Sequence, residues 1–96
     1  GNGANPAQSG TPGGGSGGAI YNDGNTFALR LCGTRIEHNG ANEGGGAIFF
    51  VSNNRTGTLR IEDSTLRDNV SGKFESQPGM FVIASGDPVI VDSTVE

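Results

Sequence analysis

The chain has 96 residues and a formal net charge of −4 at pH 7, with 18 glycines and only 32% hydrophobic residues. A chain of this length allows one small domain, near the lower limit for burying a core of its own. The negative charge and the lack of a Lys/Arg cluster argue against a nucleic-acid partner. No apolar run reaches the ~20 residues that cross a bilayer, so no membrane insertion is expected. The single cysteine, Cys32, excludes an internal disulfide.

The first 17 residues differ from the rest of the chain. Residues 1–17 are rich in Gly, Pro, Ser and Asn and show no periodicity, which predicts a loop or a partial rung of the repeat that follows. After them come three short apolar or alternating segments, separated by turns that contain Gly, Asn or Asp: residues 19–21, 27–31 and 34–37.

The same order of segments then returns twice. Three short strands in each copy of about 30 residues, with no helical period anywhere, describe one rung of a β-solenoid. We therefore predict an all-β fold of about three rungs, at about residues 18–43, 44–74 and 75–96.

Stacked rungs would place equivalent residues in ladders about 4.8 Å apart. Two inward-facing ladders would form the core: Leu31, Ile61 and Ile90, and Ile36, Leu66 and Val95. Further ladders are expected at Ala19, Ala47 and Met80, at the hydroxyls Thr34, Ser64 and Ser93, and at Asn39 and Asn69, whose amides would bond from rung to rung.

Charged and aromatic side chains also fall into columns. Glu37, Arg67 and Glu96 would alternate in sign on an outward-facing ladder, whereas Arg30 over Arg60 is a like-charged pair that solvent or Glu62 must relieve. The pattern leaves open whether the column of Tyr21, Phe49 and Phe81 points outward, as a strip suited to sugar rings, or inward.

Three segments carry a family resemblance: GGAIYNDG (17–24), GGGAIFF (44–50) and IEDSTLRDN (61–69). They resemble the right-handed parallel β-helix repeat proteins of the pectin-lyase-like superfamily, which occur on bacterial surfaces and in secreted material. The resemblance covers about residues 13–96 and implies a right-handed parallel β-helix in an extracellular or cell-surface location. The family includes adhesins, polysaccharide-active enzymes and scaffolds. Its members usually stack many more rungs and are capped at both ends.

The chain opens with GNGAN, which is similar to the corner HNGAN at residues 38–42. Joining the last residue of one copy to the first of another would continue the repeat in phase. The chain is therefore either a piece of a longer β-helix or a unit that stacks head to tail into a fibre. In both cases we expect self-association through exposed end rungs.

Candidate chemistry is sparse. β-Helix hydrolases and lyases use carboxylates with Arg or Lys on one solvent face, and Asp63, Asp92, Glu62 and Arg60 are the residues here that fit that description. Two carboxylates about 5 Å apart suit a retaining glycosidase. However, both aspartates precede Ser-Thr in a turn, where Asp commonly bonds its own backbone. His38 and Cys32 have no evident catalytic partner.

These observations favour a structural role. We expect a rigid spacer, adhesive or fibre-forming module without catalytic residues, cofactors or a metal site. The alternative is a polysaccharide-binding or polysaccharide-degrading β-helix fragment, which would need carboxylates and a cation gathered in one cleft.

Overall fold

The computed structural model describes residues 15–96, so the expectations for residues 1–14, including the corner at residues 1–5, lie outside the structure. Residues 15–96 form strands and no helix. The first repeat contains β1 (Ile20–Gly24), β2 (Ala28–Cys32), β3 (Arg35–Glu37) and β4 (Gly40–Ala41). The second contains β5 (Ile48–Ser52), β6 (Thr58–Glu62), β7 (Thr65–Arg67) and β8 (Val70–Ser71). The third contains β9 (Met80–Ile83), β10 (Val89–Val91) and β11 (Thr94–Val95).

Each repeat gives one strand to each of three parallel sheets. The first sheet has the order β1-β5-β9, the second β2-β6-β10 and the third β3-β7-β11, while β4 and β8 form a pair. The second repeat is therefore central in every three-stranded sheet. The expectation of an all-β fold with parallel strands is confirmed.

The sheets enclose a small apolar core between the repeats. Leu31, Ile61 and Ile90 share one register position in the second sheet, as Ile36, Leu66 and Val95 do in the third. The first sheet adds Ile48, Phe50 and Met80 to the core. Ile61 is fully buried, whereas Ile90 is 39% exposed, because no strand within residues 15–96 lies beyond β10.

One expected ladder is wrong by a single residue. We expected Met80 to stack on Ala47, but Met80 pairs with Ile48 and the Ala47 N–H bonds to Gly79 C=O at 2.7 Å. Gly79 has a φ of 73°, a conformation that glycine adopts without strain. A Cβ there would lie 2.9 Å from that of Asn69, so the third repeat has glycine where the others have alanine.

The corner before β5 packs tightly against residues at the end of the same repeat, after β7. A Cβ built on Gly46 would lie 2.5 Å from backbone atoms of Val70, and one on Gly44 would overlap the ring of Phe74. The glycines of this corner are therefore needed for close packing of backbone against backbone.

Buried polar side chains connect successive repeats. The Asn39 N–H and side-chain amide both donate to Asn69 Oδ1, at 3.0 and 2.9 Å. Asn69 Nδ2 in turn donates to Ile36 C=O at 3.0 Å. Both asparagines are buried. Each side-chain amide therefore forms hydrogen bonds with polar groups that are shielded from water.

Candidate functional site

The outer face of the second sheet carries one charged cluster. Arg30 Nη2 donates to Glu62 Oε2 at 2.9 Å, and Arg60 Nε donates to Glu62 Oε1. The hydrogen bonds from Arg60 and Arg30 lower the pKa of Glu62. Glu62 therefore remains ionised and separates two arginines that would otherwise repel each other. A glycosidase acid needs the opposite, a carboxyl with a raised pKa.

The two candidate aspartates lie at corners beside this cluster. Asp63 and Asp92 have φ values of 48° and 47°, and Gly33 has 58° at the equivalent corner of the first repeat. Asp is one of the few non-glycine residues enriched in this left-handed conformation. Both side chains are exposed, and neither carboxylate has a hydrogen bond or ion pair to any residue from 15 to 96. The structure thus joins Glu62 and Arg60 directly, but not the aspartates to them.

His38 and Cys32 are both exposed. His38 Nε2 is 3.5 Å from Asp68 Oδ2, with both side chains mostly exposed. Both residues have positive φ values, 58° and 54°, so they again occupy equivalent corners. Cys32 is a free, exposed cysteine. The structure thus brings His38 beside an acidic side chain at an exposed corner.

The structure resolves which way the aromatic column points. Ile48 and Phe50 are buried in β5, so Phe49 between them points outward, with Tyr21 and Phe81 beside it. The Tyr21 and Phe49 rings stack with centroids 5.0 Å apart and planes 5° apart. Phe49 and Phe81 stack at 5.6 Å, and Phe74 meets Phe81 edge-on at 4.8 Å.

This stacking limits what the column can bind. A sugar packs its C–H groups against the flat face of an aromatic ring, but each face of Phe49 is occupied by the ring of a neighbouring repeat. Tyr21, at the first-repeat end, is 39% exposed. The column therefore presents mainly ring edges to solvent, and its clearest contribution is to hold three repeats in register.

The third sheet carries a second charged column. Glu37 Oε1 lies 3.0 Å from Arg35 Nε and 3.8 Å from Arg67 Nε. Arg67 Nη2 is 3.5 Å from Glu96 Oε1 in the third repeat. Charges of alternating sign thus follow the stacking direction, and each exposed pair contributes at most ~1 kcal/mol.

A feature that the sequence patterns did not predict lies on the edge of β9. The segment 75–79 folds back along the side of this strand that faces away from β5. Ser76 N–H donates to Met80 C=O at 2.8 Å, Met80 N–H donates to Gln77 C=O at 2.9 Å, and Val82 N–H donates to Ser76 Oγ at 3.0 Å. In the sequence, the Pro78-Gly79 pair predicts a turn, but it does not predict which strand the turn packs against.

The fold and these surfaces define a class: an all-β protein whose repeats stack through parallel strands and columns of like side chains. No protein-family model, curated protein or solved structure matches the chain. Among residues 15–96, no three His, Cys, Asp or Glu side chains are grouped as a metal site would require. The same part of the chain contains no helix long and apolar enough to cross a membrane.

Proposed function

We propose that the protein is a structural module: a right-handed β-helix whose repeats are rungs, acting as a rigid spacer or fibre-forming unit rather than as an enzyme. An extracellular or cell-surface location is part of the proposal and rests on the family resemblance. The stacked charges, amides and aromatic rings support it, since each connects repeats rather than lining a common site.

The observation that carries the proposal is a hydrogen-bond pattern that repeats from one repeat to the next and, within residues 15–96, leaves a donor unused at one end and an acceptor at the other. Thr34 N–H donates to Ser64 Oγ at 3.0 Å, and Ser64 N–H donates to Ser93 Oγ at 3.0 Å. Each hydroxyl also donates to the carbonyl two residues before it. Within residues 15–96, Ser93 N–H has no acceptor, and Thr34 Oγ1 accepts no N–H from another repeat. A further rung at either end would extend the same pattern.

The end formed by the third repeat also exposes apolar residues. We define the tail edge as the sides of β9, β10 and β11 that face away from the second repeat, and the head edge as the corresponding sides of β1, β2 and β3. Val89, Ile90 and Val91 on the tail edge are all exposed. An apolar edge strand of this kind readily pairs with another strand. We therefore propose that these edges mediate self-association.

Sedimentation velocity over a concentration series tests this proposal, with electron microscopy of the concentrated sample. We expect concentration-dependent association and, in any fibres, a repeat of about 4.8 Å along the axis. Ile90→Lys places a charge in the tail edge and should abolish association. Val70→Lys is the control, because Val70 is an exposed apolar residue of β8. A monomer at every concentration, or an Ile90→Lys variant that associates like the parent, would contradict the proposal.

Polysaccharide binding is the second candidate, favoured by Tyr21, which is 39% exposed at the first-repeat end of the aromatic column. Migration of the protein in native gels containing pectin or alginate tests it. Binding through the column should slow the parent but not Tyr21→Ala, whereas equal migration with and without polysaccharide would exclude this function for these polymers.

A further inference from the structure

The tail edge is covered unequally. Gly79 C=O accepts from β5, and successive strand residues direct their N–H and C=O groups to opposite sides. The backbone N–H and C=O groups of Met80 and Val82 therefore face away from β5. Segment 75–79 forms hydrogen bonds with the N–H and C=O of Met80 and with the N–H of Val82. Glu75 Oε2 closes the segment by accepting from Gly79 N–H at 2.9 Å.

The other two strands of the tail edge have no such cover. Within residues 15–96, no strand pairs with β10 or β11 on the side away from the second repeat. A strand added there would find an apolar surface at Ile90 and Val95, together with the unused N–H of Ser93. Among residues 15–96, β10 and β11 are thus unpaired on this side, whereas segment 75–79 occupies the edge of β9.

The chemistry of the two edges indicates which partner fits. The four charged residues of 75–96 are all acidic: Glu75, Asp87, Asp92 and Glu96. Pairing two tail edges would place these groups opposite each other. The head edge carries Arg30 and Arg35 together with Asp23 and Glu37, so it has no net charge and does not repel an acidic edge as a second tail edge would.

The head edge also matches the tail edge residue by residue. Leu31 and Ile36 would continue the core columns beyond Ile90 and Val95, and Thr34 Oγ1 would accept the N–H of Ser93. Glu37 would lie near Glu96, but it is paired with Arg35 at 3.0 Å. The head edge of a second copy is therefore the better occupant.

We infer that the tail edge binds the head edge of a second copy and that segment 75–79 opposes this contact by occupying the edge of β9. This inference rests on the proposed function. A rung at the normal spacing of about 4.8 Å would need the place that Ser76 and Gln77 fill, so the segment must move before all three sheets can pair. Segment 75–79 thus inhibits head-to-tail stacking of the protein to which it belongs.

Ser76→Ala tests this inhibition, since it removes the hydroxyl that accepts Val82 N–H while leaving the net charge unchanged. The hydroxyl also donates to Gln77 Oε1 at 2.6 Å. Loss of these neutral hydrogen bonds should let the variant associate at a concentration roughly fivefold lower than the parent. Hydrogen exchange at the Val82 amide, measured at a dilution where the protein is monomeric, should become faster. Ser76→Thr keeps a hydroxyl and should restore both properties. Ser85→Ala is the matched control, because Ser85 is an exposed serine outside the segment.

The outcomes separate this inference from the proposed function. If Ser76→Ala associates more tightly than the parent, while Ser85→Ala and Ser76→Thr associate like the parent, segment 75–79 inhibits stacking. Equal association of parent and Ser76→Ala overturns this inference while leaving self-association intact. If neither protein associates at any concentration, both the inference and the proposed self-association are wrong. Unchanged exchange at Val82 in Ser76→Ala would show that the hydroxyl does not cap β9.

Discussion

The side-chain amide of Asn69 makes three hydrogen bonds between the first two repeats. Its Oδ1 accepts two hydrogen bonds from Asn39, and its Nδ2 donates to Ile36 C=O. All these groups lie at a buried corner. Without the amide, the Asn39 N–H would lose its acceptor away from water, which is more costly than the loss of an exposed bond, and Ile36 C=O would lose one of its donors.

We therefore predict that Asn69→Ala lowers the free energy of unfolding by about 2 kcal/mol. Urea denaturation followed by circular dichroism measures this change. Asn25→Ala is the control, since Asn25 is exposed in a turn and its carbonyl, which accepts from Ser52, is retained. If Asn69→Ala lowers the free energy of unfolding as little as Asn25→Ala does, water replaces the amide at this corner.

Glu62 gives the fold a predictable dependence on pH. Hydrogen bonds from Arg60 and Arg30 lower its pKa below the ordinary value of 4.5. A group with a lowered folded-state pKa contributes stability above its unfolded pKa, and that contribution is lost as the pH falls through the folded-state value. The contribution should therefore be fully present at neutral pH and vanish in acid.

Glu62→Gln should consequently melt below the parent at neutral pH, and the two melting temperatures should converge as the pH falls below the ordinary pKa of 4.5. Melting curves from roughly pH 7 to roughly pH 2 test this expectation. Asp87→Asn serves as the control, because Asp87 has no ion pair within residues 15–96. A difference between Glu62→Gln and the parent that stays constant across the range would mean that the charge of Glu62 does not stabilise the fold.

At the scale of elements, the corners limit the fold more strictly than the strands. Gly46 passes so close to the backbone of Val70 that even one methyl group does not fit. We predict that Gly46→Ala destabilises the protein by about 1 to 3 kcal/mol, the usual cost of forcing extra volume into a packed site.

Gly86→Ala supplies a matched comparison for this prediction. A Cβ at Gly86 would meet nothing within 4 Å, and Gly86 is not among the glycines with positive φ. It should leave stability unchanged or raise it slightly by restricting the unfolded chain. Thermal melting of both variants tests the difference. Equal melting temperatures would show that the corner can open without cost.

The sequence predicted the strands of this fold better than its edges. Alternation placed Leu31, Ile61 and Ile36 on inward positions because strand periodicity is local and the repeats are similar. The aromatic column could not be assigned, since Ile48, Phe49 and Phe50 form a continuous apolar run. Of the third repeat, Met80 was assigned to the wrong ladder, because Gly79 occupies the position that Ala47 has in the second repeat. Where segment 75–79 packs depends on contacts with β9 that no periodicity encodes.

At the scale of the whole molecule, charge is distributed unevenly along the stacking direction. Residues 1–74 contain as many Lys and Arg as Asp and Glu, so the net charge of −4 belongs entirely to residues 75–96. The tail edge is acidic, whereas on the head edge Arg30 and Arg35 balance Asp23 and Glu37, so the two ends differ in charge and the molecule is electrostatically polar. Such polarity favours a heterologous contact, which continues from copy to copy instead of closing as a symmetric dimer.

Arg35→Glu tests this polarity directly, since Arg35 lies on the head edge and its side chain is 73% exposed. At about 10 mM salt, where charges act over about 30 Å, the variant should associate about fivefold more weakly than Arg55→Glu. Arg55 lies in an exposed turn after β5, so both variants change the net charge equally. At about 0.5 M salt the two should converge, because screening removes the contribution of exposed charges. Tail-to-tail pairing would instead weaken both variants equally, since neither arginine would lie at the contact.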